Sequence, residues 1–276
     1  MLNINTNILS LTTQTNLSGS QNALSSAINR LSSGKRINTA ADDAAGLAIA
    51  TSQTSAINSW NQGVANANNA ISMVQTANGA LQSTIDNLQR MRQLAVEAGD
   101  GSLNASALSD LDTEFQTRLN EITRVSTQTT FNGQQVLGGG LGAAGAVTFQ
   151  IGLTGADTLT ANFGTTKWDS TSLGINADSL TSAANASTAI ADIDVALGSV
   201  NTFQAQLGAT QNTFQSAISS AQTTSTNLSA ARAQITDADF ATETANLSKA
   251  QVLQQAGISV LAQANSLPQQ VLKLLG

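Results

Sequence analysis

Two long heptad seams, one in each half of the chain, constrain this sequence more than any other feature. Over residues 57–88 the first seam places Ile57, Val64, Ile71, Asn78 and Ile85 at its a positions and Trp60, Ala67, Val74, Leu81 and Leu88 at d. The second has Ile190, Leu197, Gln204, Gln211, Ile218, Ser225 and Arg232 at a. Its d line, Ile193, Val200, Leu207, Phe214, Ala221, Leu228 and Ile235, is apolar throughout. A stripe repeating every 3.5 residues over four or more heptads is buried only against a helix lying lengthwise along it. Two such seams most simply pair with each other, and polar a positions set their register at some cost in stability.

Local signals set the ends of these helices. Asp42 and Asp43 open the first, with Thr39-x-x-Asp42 as a capping-box start, and Gly99-Asp100-Gly101 ends it. From 41 to 98 it spans on the order of 85 Å at 1.5 Å per residue. A shorter amphipathic helix follows, carrying Leu108, Leu111, Phe115, Leu119, Ile122 and Val125, and stops before the turn signal Asn132-Gly133. The texture then becomes Gly-rich. Val147, Phe149 and Ile151 alternate with polar residues, as do Leu159, Ala161 and Phe163, which predicts a β-hairpin around Thr154-Gly155-Ala156-Asp157.

Both extremities repeat one design. Leu17, Leu24, Ile28 and Leu31 precede a break at Ser32-Ser33-Gly34. At the other end Thr236-x-x-Asp239 starts a helix in which Leu253, Val260, Leu267 and Leu274 fall seven apart. Short, weakly apolar helices are marginal alone in water, so these ends are expected to lack an intramolecular partner and to order on assembly. The fold class expected is therefore mainly α: a long antiparallel coiled-coil rod, a small β-hairpin region in mid-chain, and flanking terminal helices. Its expected divisions are 1–40, 41–137, 138–182, 183–235 and 236–276.

Composition excludes several functions. Aromatics make up 3% of the chain and charged residues 10%, too little bulk for a thick globular core. The net charge of −6 provides no basic footprint for nucleic acid. With no Cys and no His, thiolate metal sites, disulfides and the commonest general base are all missing. No catalytic, cofactor-binding or metal site is expected, nor a signal peptide or membrane span. Gly140-Leu141-Gly142-Ala143-Ala144-Gly145 fits a dinucleotide fingerprint, but a strand-like run follows it where a helix is needed. Ser32-Ser33-Gly34-Lys35 fits S-x-x-K without the companion motifs of such enzymes, and Gly34 reads as a helix terminator.

The ends of the chain resemble bacterial flagellin. The similarity is carried by Ile4-Asn5-Thr6-Asn7, Leu31-Ser32-Ser33-Gly34-Lys35-Arg36-Ile37-Asn38 and Ala41-Asp42-Asp43-Ala44-Ala45-Gly46-Leu47-Ala48-Ile49. In the second half it lies in Ile235-Thr236-Asp237-Ala238-Asp239-Phe240-Ala241-Thr242-Glu243, Gln254-Gln255-Ala256-Gly257 and Leu261-Ala262-Gln263-Ala264-Asn265. The resemblance covers about 1–137 and 190–276, and the short centre fits a minimal flagellin without large outer domains. It implies a secreted, extracellular structural subunit whose terminal segments line the filament core and polymerise with copies of the same chain. On this reading Leu17, Leu24, Ile28, Leu31, Leu253, Val260, Leu267 and Leu274 form the polymerisation seam.

The resemblance also implies partners: the flagellar export apparatus, an export chaperone and the filament cap. It further implies recognition by a host Toll-like receptor through Gln89, Arg90, Arg92 and Leu94, followed by Ala95 and Val96, with Glu114 on the next helix. Gln93 stands where an acidic residue is common. Arg90 and Leu94, at i and i+4, are expected on one exposed face. The alternatives are a filament-junction or minor filament protein of the same family, and an enzyme grafted into 138–182, a segment without His, Cys or paired carboxylates.

Overall fold

The computed structural model describes residues 6–275, with side chains as far as residue 267. The described elements are α1 (Ile8–Ser33), α2 (Ala44–Ala98), α3 (Ala105–Gln128), β1 (Thr130–Phe131), β2 (Gln134–Gln135), β3 (Ala146–Gln150), β4 (Thr158–Asn162), α4 (Ala183–Thr236) and α5 (Phe240–Leu275). The chain divides into two compact units, Ala56–Thr226 and Met1–Ser55 with Asn227–Gly276.

In the unit 56–226 the d lines of the heptad seams are mostly buried, while the a positions Val64, Ile71, Asn78, Ile190, Leu197, Gln204 and Gln211 are half-buried. On α2 the d residues Ala67, Val74, Leu81 and Leu88 lie in the core, and on α4 so do Ile193, Val200, Leu207 and Phe214. The polar a position Ser225 is matched, its hydroxyl donating to Asn61 Oδ1 at 3.1 Å. Arg92 of α2 reaches Asp194 of α4 at 2.7 Å. The two pairs have residue numbers with the same sum, as one antiparallel register requires. Of these four side chains only Ser225 is buried, and a buried hydroxyl that finds its acceptor in one register favours that register.

The buried face of α2 is wider than the seam. Ala77, Thr84, Met91, Leu94 and Ala98 are also buried, along the stretch of α2 that α3 covers beside α4, as are Ala70 and Met73, the latter lying near Phe131, Val147 and Phe149. Phe115, Leu119 and Ile122 of α3 complete that core. Asn104 caps α3 by accepting from Ala107 N at 2.8 Å. Beyond α3, Asn132 (φ 50°) and Gly133 (φ 78°) join β1 to β2 in the left-handed conformation that an Asn-Gly hairpin turn supplies.

The predicted hairpin is present, with Ala146 opposite Asn162 and Gln150 opposite Thr158. It docks through Asn66 Nδ2, which donates to the Gln150 carbonyl at 2.8 Å, and through an edge-to-face contact of Phe149 with Phe214 at 5.7 Å. A methyl group on Gly63 would overlap the Ile151 carbonyl oxygen, so the close approach depends on glycine there. Gly63→Ala is expected to lower stability by about 1–3 kcal/mol through this overlap. Gly79→Ala, where nothing lies within 4 Å, should instead stabilise by about 0.5–1 kcal/mol. Denaturant midpoints of the two variants, moving in opposite directions from the parent, are the check.

In the other unit the terminal helices pack on each other. Asn7, which caps α1, donates from Nδ2 to the Ala264 carbonyl at 2.7 Å, and Ser10 Oγ lies 2.8 Å from Asn265 Oδ1. This corrects the expectation that neither end has a partner within the chain. Sequence reading misses the interface because its most buried positions are small residues, Thr13 and Ala27 on α1 and Ala250 and Ala264 on α5, with the half-buried Leu17 packed on Gly257. A Cβ on Gly257 would stand 3.2 Å from Leu17 Cδ1, so the helices meet closely there.

The linkers before α2 and after α4 are also paired. Arg36 N donates to Thr236 O at 2.7 Å and Ala238 N to Gly34 O at 3.0 Å. Gly34, at φ 67°, ends α1 as expected. Helix α2 starts at Ala44, slightly later than expected, with Asp43 Oδ1 accepting from Gly46 N, while Asp42 closes the turn at Thr39. Arg232, a polar a residue, meets Thr54 Oγ1 at 3.3 Å.

Candidate functional site

Helix α5 carries two lines of residues at heptad spacing, and their fates differ. Glu243, Ala250 and Ala264 are buried, and Gly257 lies in the same line against Leu17. The apolar line sits on another face: Leu253 is 48% exposed, Val260 50% and Leu267 37%. Leu274 lies outside the described side chains. Val252, Ile258 and Phe240 are exposed as well. On α1, Leu17, Leu24 and Leu31 are half-buried, while Ile8, Leu9, Leu11 and Ile28 are exposed.

An apolar line on a water-facing helix gains nothing in the monomer, where small residues make the intramolecular contact. Such a surface fits further helices. Beside it runs a groove of about 390 Å³ lined by Ser20, Ala27, Arg30, Glu243, Lys249 and Leu253. Sequence reading found the large apolar line and missed the small one, whose only signal is small residues at seven-residue spacing.

Helix α5 begins where expected from its cap. Asp239 accepts from Ala241 N and from the Thr242 hydroxyl, and the latter bond leads the causes that hold its carboxyl below the ordinary range.

The second candidate surface lies on α2 and α3. Arg90 grips Glu114 with both nitrogens, Nε to Oε1 at 2.9 Å and Nη2 to Oε2 at 3.1 Å. Arg118 adds two further hydrogen bonds to Glu114, from Nε and Nη2, and reaches back to Asn87 Oδ1. The hydrogen bond from Arg90 is the main reason the Glu114 carboxyl is held below its usual range, and the Asp194 carboxyl is lowered in the same way by Arg92. These folded-state values lie below the unfolded ones. The stability they confer is present at neutral pH and is lost as pH falls through the lowered values.

The structure thus brings Arg90 and Glu114 together, with Gln89 and Arg92 exposed beside them. Leu94 is a correction. It is 0% exposed, packed in the core where α3 and α4 both cover α2. The exposed apolar side chain of the segment is Val96, at 55%. The i, i+4 spacing places Leu94 only about 40° around the helix from Arg90, enough to turn it from the rim into the core.

Among the described residues, no cluster of three metal-capable side chains is found and no helix is long and apolar enough to cross a membrane. The Gly140–Gly145 run leads into β3, with Gly142 and Gly145 at positive φ.

Comparison with known proteins agrees with these features. The family model for the bacterial flagellin N-terminal helical region matches residues 4–140, and that for the C-terminal helical region matches residues 190–275. The chain is 39% identical to a flagellin of Xenorhabdus nematophila over 99% of its own length and 98% of the relative's. It is 35% identical to a flagellin of Halalkalibacterium halodurans, covering 99% of each chain. The crystal structure of Bacillus cereus flagellin superposes with a TM-score of 0.50 at 30% identity, over 57% of this chain and 88% of that one. The chain belongs to the bacterial flagellin family.

Proposed function

We propose that this flagellin, a structural filament subunit and not an enzyme, polymerises with copies of itself through the uncovered faces of α1 and α5. The observation that carries this reading is the separation of lines on α5. Glu243, Ala250 and Ala264 are used inside the chain, whereas Leu253, Val260 and Leu267 face water. On this reading residues 1–40 and 236–276 are the filament-core segments, 41–137 and 183–235 the surrounding helices, and 138–182 the short variable region. The subunit is secreted through the flagellum's own channel, with the export apparatus, an export chaperone and the filament cap as partners. Relatives named flagellin along their full length favour a filament subunit over a junction protein. Electron microscopy of the purified protein after seeding is the test. Long filaments are expected, and seeds that fail to grow would contradict the reading.

A second role rests on the Arg90–Glu114 fork. An exposed, geometrically fixed guanidinium beside Gln89 and Arg92 presents a polar anchor to a host Toll-like receptor. Val96, rather than Leu94, provides the apolar contact. Arg90→Ala and Glu114→Ala are each expected to weaken binding to the receptor ectodomain about tenfold, as interface anchors do, with unchanged helix content. Equal affinity of parent and variants in a surface-binding assay would remove this role.

A further inference from the structure

Asn-Gly occurs twice in this chain, at Asn78-Gly79 and Asn132-Gly133, and the fold treats the two steps in opposite ways. Asn78 and Gly79 lie inside α2, where the Gly79 amide is bound to the carbonyl four residues earlier. Asn78 is half-buried, and its Oδ1 is enclosed. Asn132 and Gly133 form the two-residue turn between β1 and β2, and both are exposed. Among the described residues neither the Asn132 carboxamide nor the Gly133 amide has a hydrogen-bond partner, and a Cβ built on Gly133 would meet no atom within 4 Å. The turn is held by two residue pairs, Thr130 with Gln135 and Phe131 with Gln134. A hairpin that short opens far more often than the interior of a 55-residue helix.

Asparagine is a labile residue, and glycine after it removes the Cβ that would shield the next backbone nitrogen. We propose that Asn132 is a site of spontaneous modification, where the exposed turn converts asparagine to aspartate and isoaspartate through a cyclic imide. When the turn opens, the Gly133 nitrogen, having lost its proton to hydroxide, attacks Asn132 Cγ. A C–N bond forms, the Cγ–Nδ2 bond breaks, and the nitrogen leaves as ammonia, taking a proton from water. A water molecule then opens the ring at either carbonyl. Breaking the new bond restores the ordinary backbone with an aspartate side chain. Breaking the original peptide bond routes the backbone through the former side chain, as isoaspartate. One water replaces one ammonia, and nothing is oxidised or reduced.

Either product puts a negative charge at the rim of a cavity of about 560 Å³ lined by Met73, Phe131, Val147 and Phe149, whose lining residues carry no charge. Isoaspartate also lengthens the backbone of the turn, which should break the pairing of Phe131 with Gln134. The change stays local, because Val136 and Leu137 are buried just beyond it.

Full-length protein held for increasing times at pH 6.0 and pH 8.5, then digested with trypsin, tests the proposal by tandem mass spectrometry of peptides 37–90 and 125–167. At pH 8.5 Asn132 should become the acid at least about a hundredfold faster than Asn78, whose step reacts only through rare opening of the helix. The reaction at Asn132 should be slower at pH 6.0, where less of the amide is deprotonated. An isoaspartyl methyltransferase with a labelled methyl donor should tag position 132. In the urea-unfolded chain the two sites should react at similar rates, which assigns the difference to the fold. An Asn132 that stays intact in the folded chain, equal rates at the two sites before unfolding, acid at 132 without isoaspartate, or a difference that persists in urea would overturn the proposal.

Discussion

A chain carrying Val260→Asp and Leu267→Asp is expected to fold as a monomer and to form no filaments. Both side chains are water-facing in the single chain, so the substitutions should change monomer stability by no more than about 0.5 kcal/mol each. If the proposed assembly buries them, each subunit would place two unpaired carboxylates against apolar neighbours, costing several kcal/mol or more. Filament growth repeats that cost at every addition. Circular dichroism should match the parent while electron microscopy after seeding shows seeds alone. Filaments of ordinary length from the double variant would refute the assignment of this face.

Leu94→Ala is expected to have the largest effect on the monomer. Leu94 is fully enclosed among α2, α3 and α4, so truncation removes its transfer free energy and leaves a cavity, together about 2–5 kcal/mol. Arg90→Ala, one turn away, removes a half-exposed ion pair and should leave the unfolding midpoint close to that of the parent. Denaturant unfolding of both variants decides the matter. A mild effect from Leu94→Ala would mean that its side chain is not enclosed. A severe one means that any lost receptor binding in that variant reflects unfolding and not a missing contact.

Much of the helical framework was legible because large apolar residues at heptad spacing have one cheap explanation. The d lines of α2 and α4 are buried, and Asn132-Gly133 and the 146–162 hairpin are where their signals place them. What escaped notice shares one cause. A seam reading assumes one partner per helix and apolar bulk at the contact. Leu94 falls off the seam and is buried because α3 provides a second neighbour. The most buried positions of the α1–α5 interface lack bulk: Thr13, Ala27, Ala250 and Ala264 let backbones approach, Leu17 packs against Gly257, and no hydrophobicity scale marks the small residues. Asp178 gave no signal because its burial depends on the path of the irregular segment between β4 and α4, which has no periodicity.

The chain has no cysteine, so Val260→Cys introduces a single thiol into the proposed assembly face. Its rate of reaction with a small maleimide, in monomer and in filament at equal protein concentration, measures directly whether that face becomes covered. If α5 polymerises through the Leu253–Val260–Leu267 line, the thiol reacts readily in monomer and at least about a hundredfold more slowly in filament, as for a group accessible only through rare opening. Equal rates in the two states would show that this face stays in water after assembly, and the proposed mode of polymerisation would be wrong.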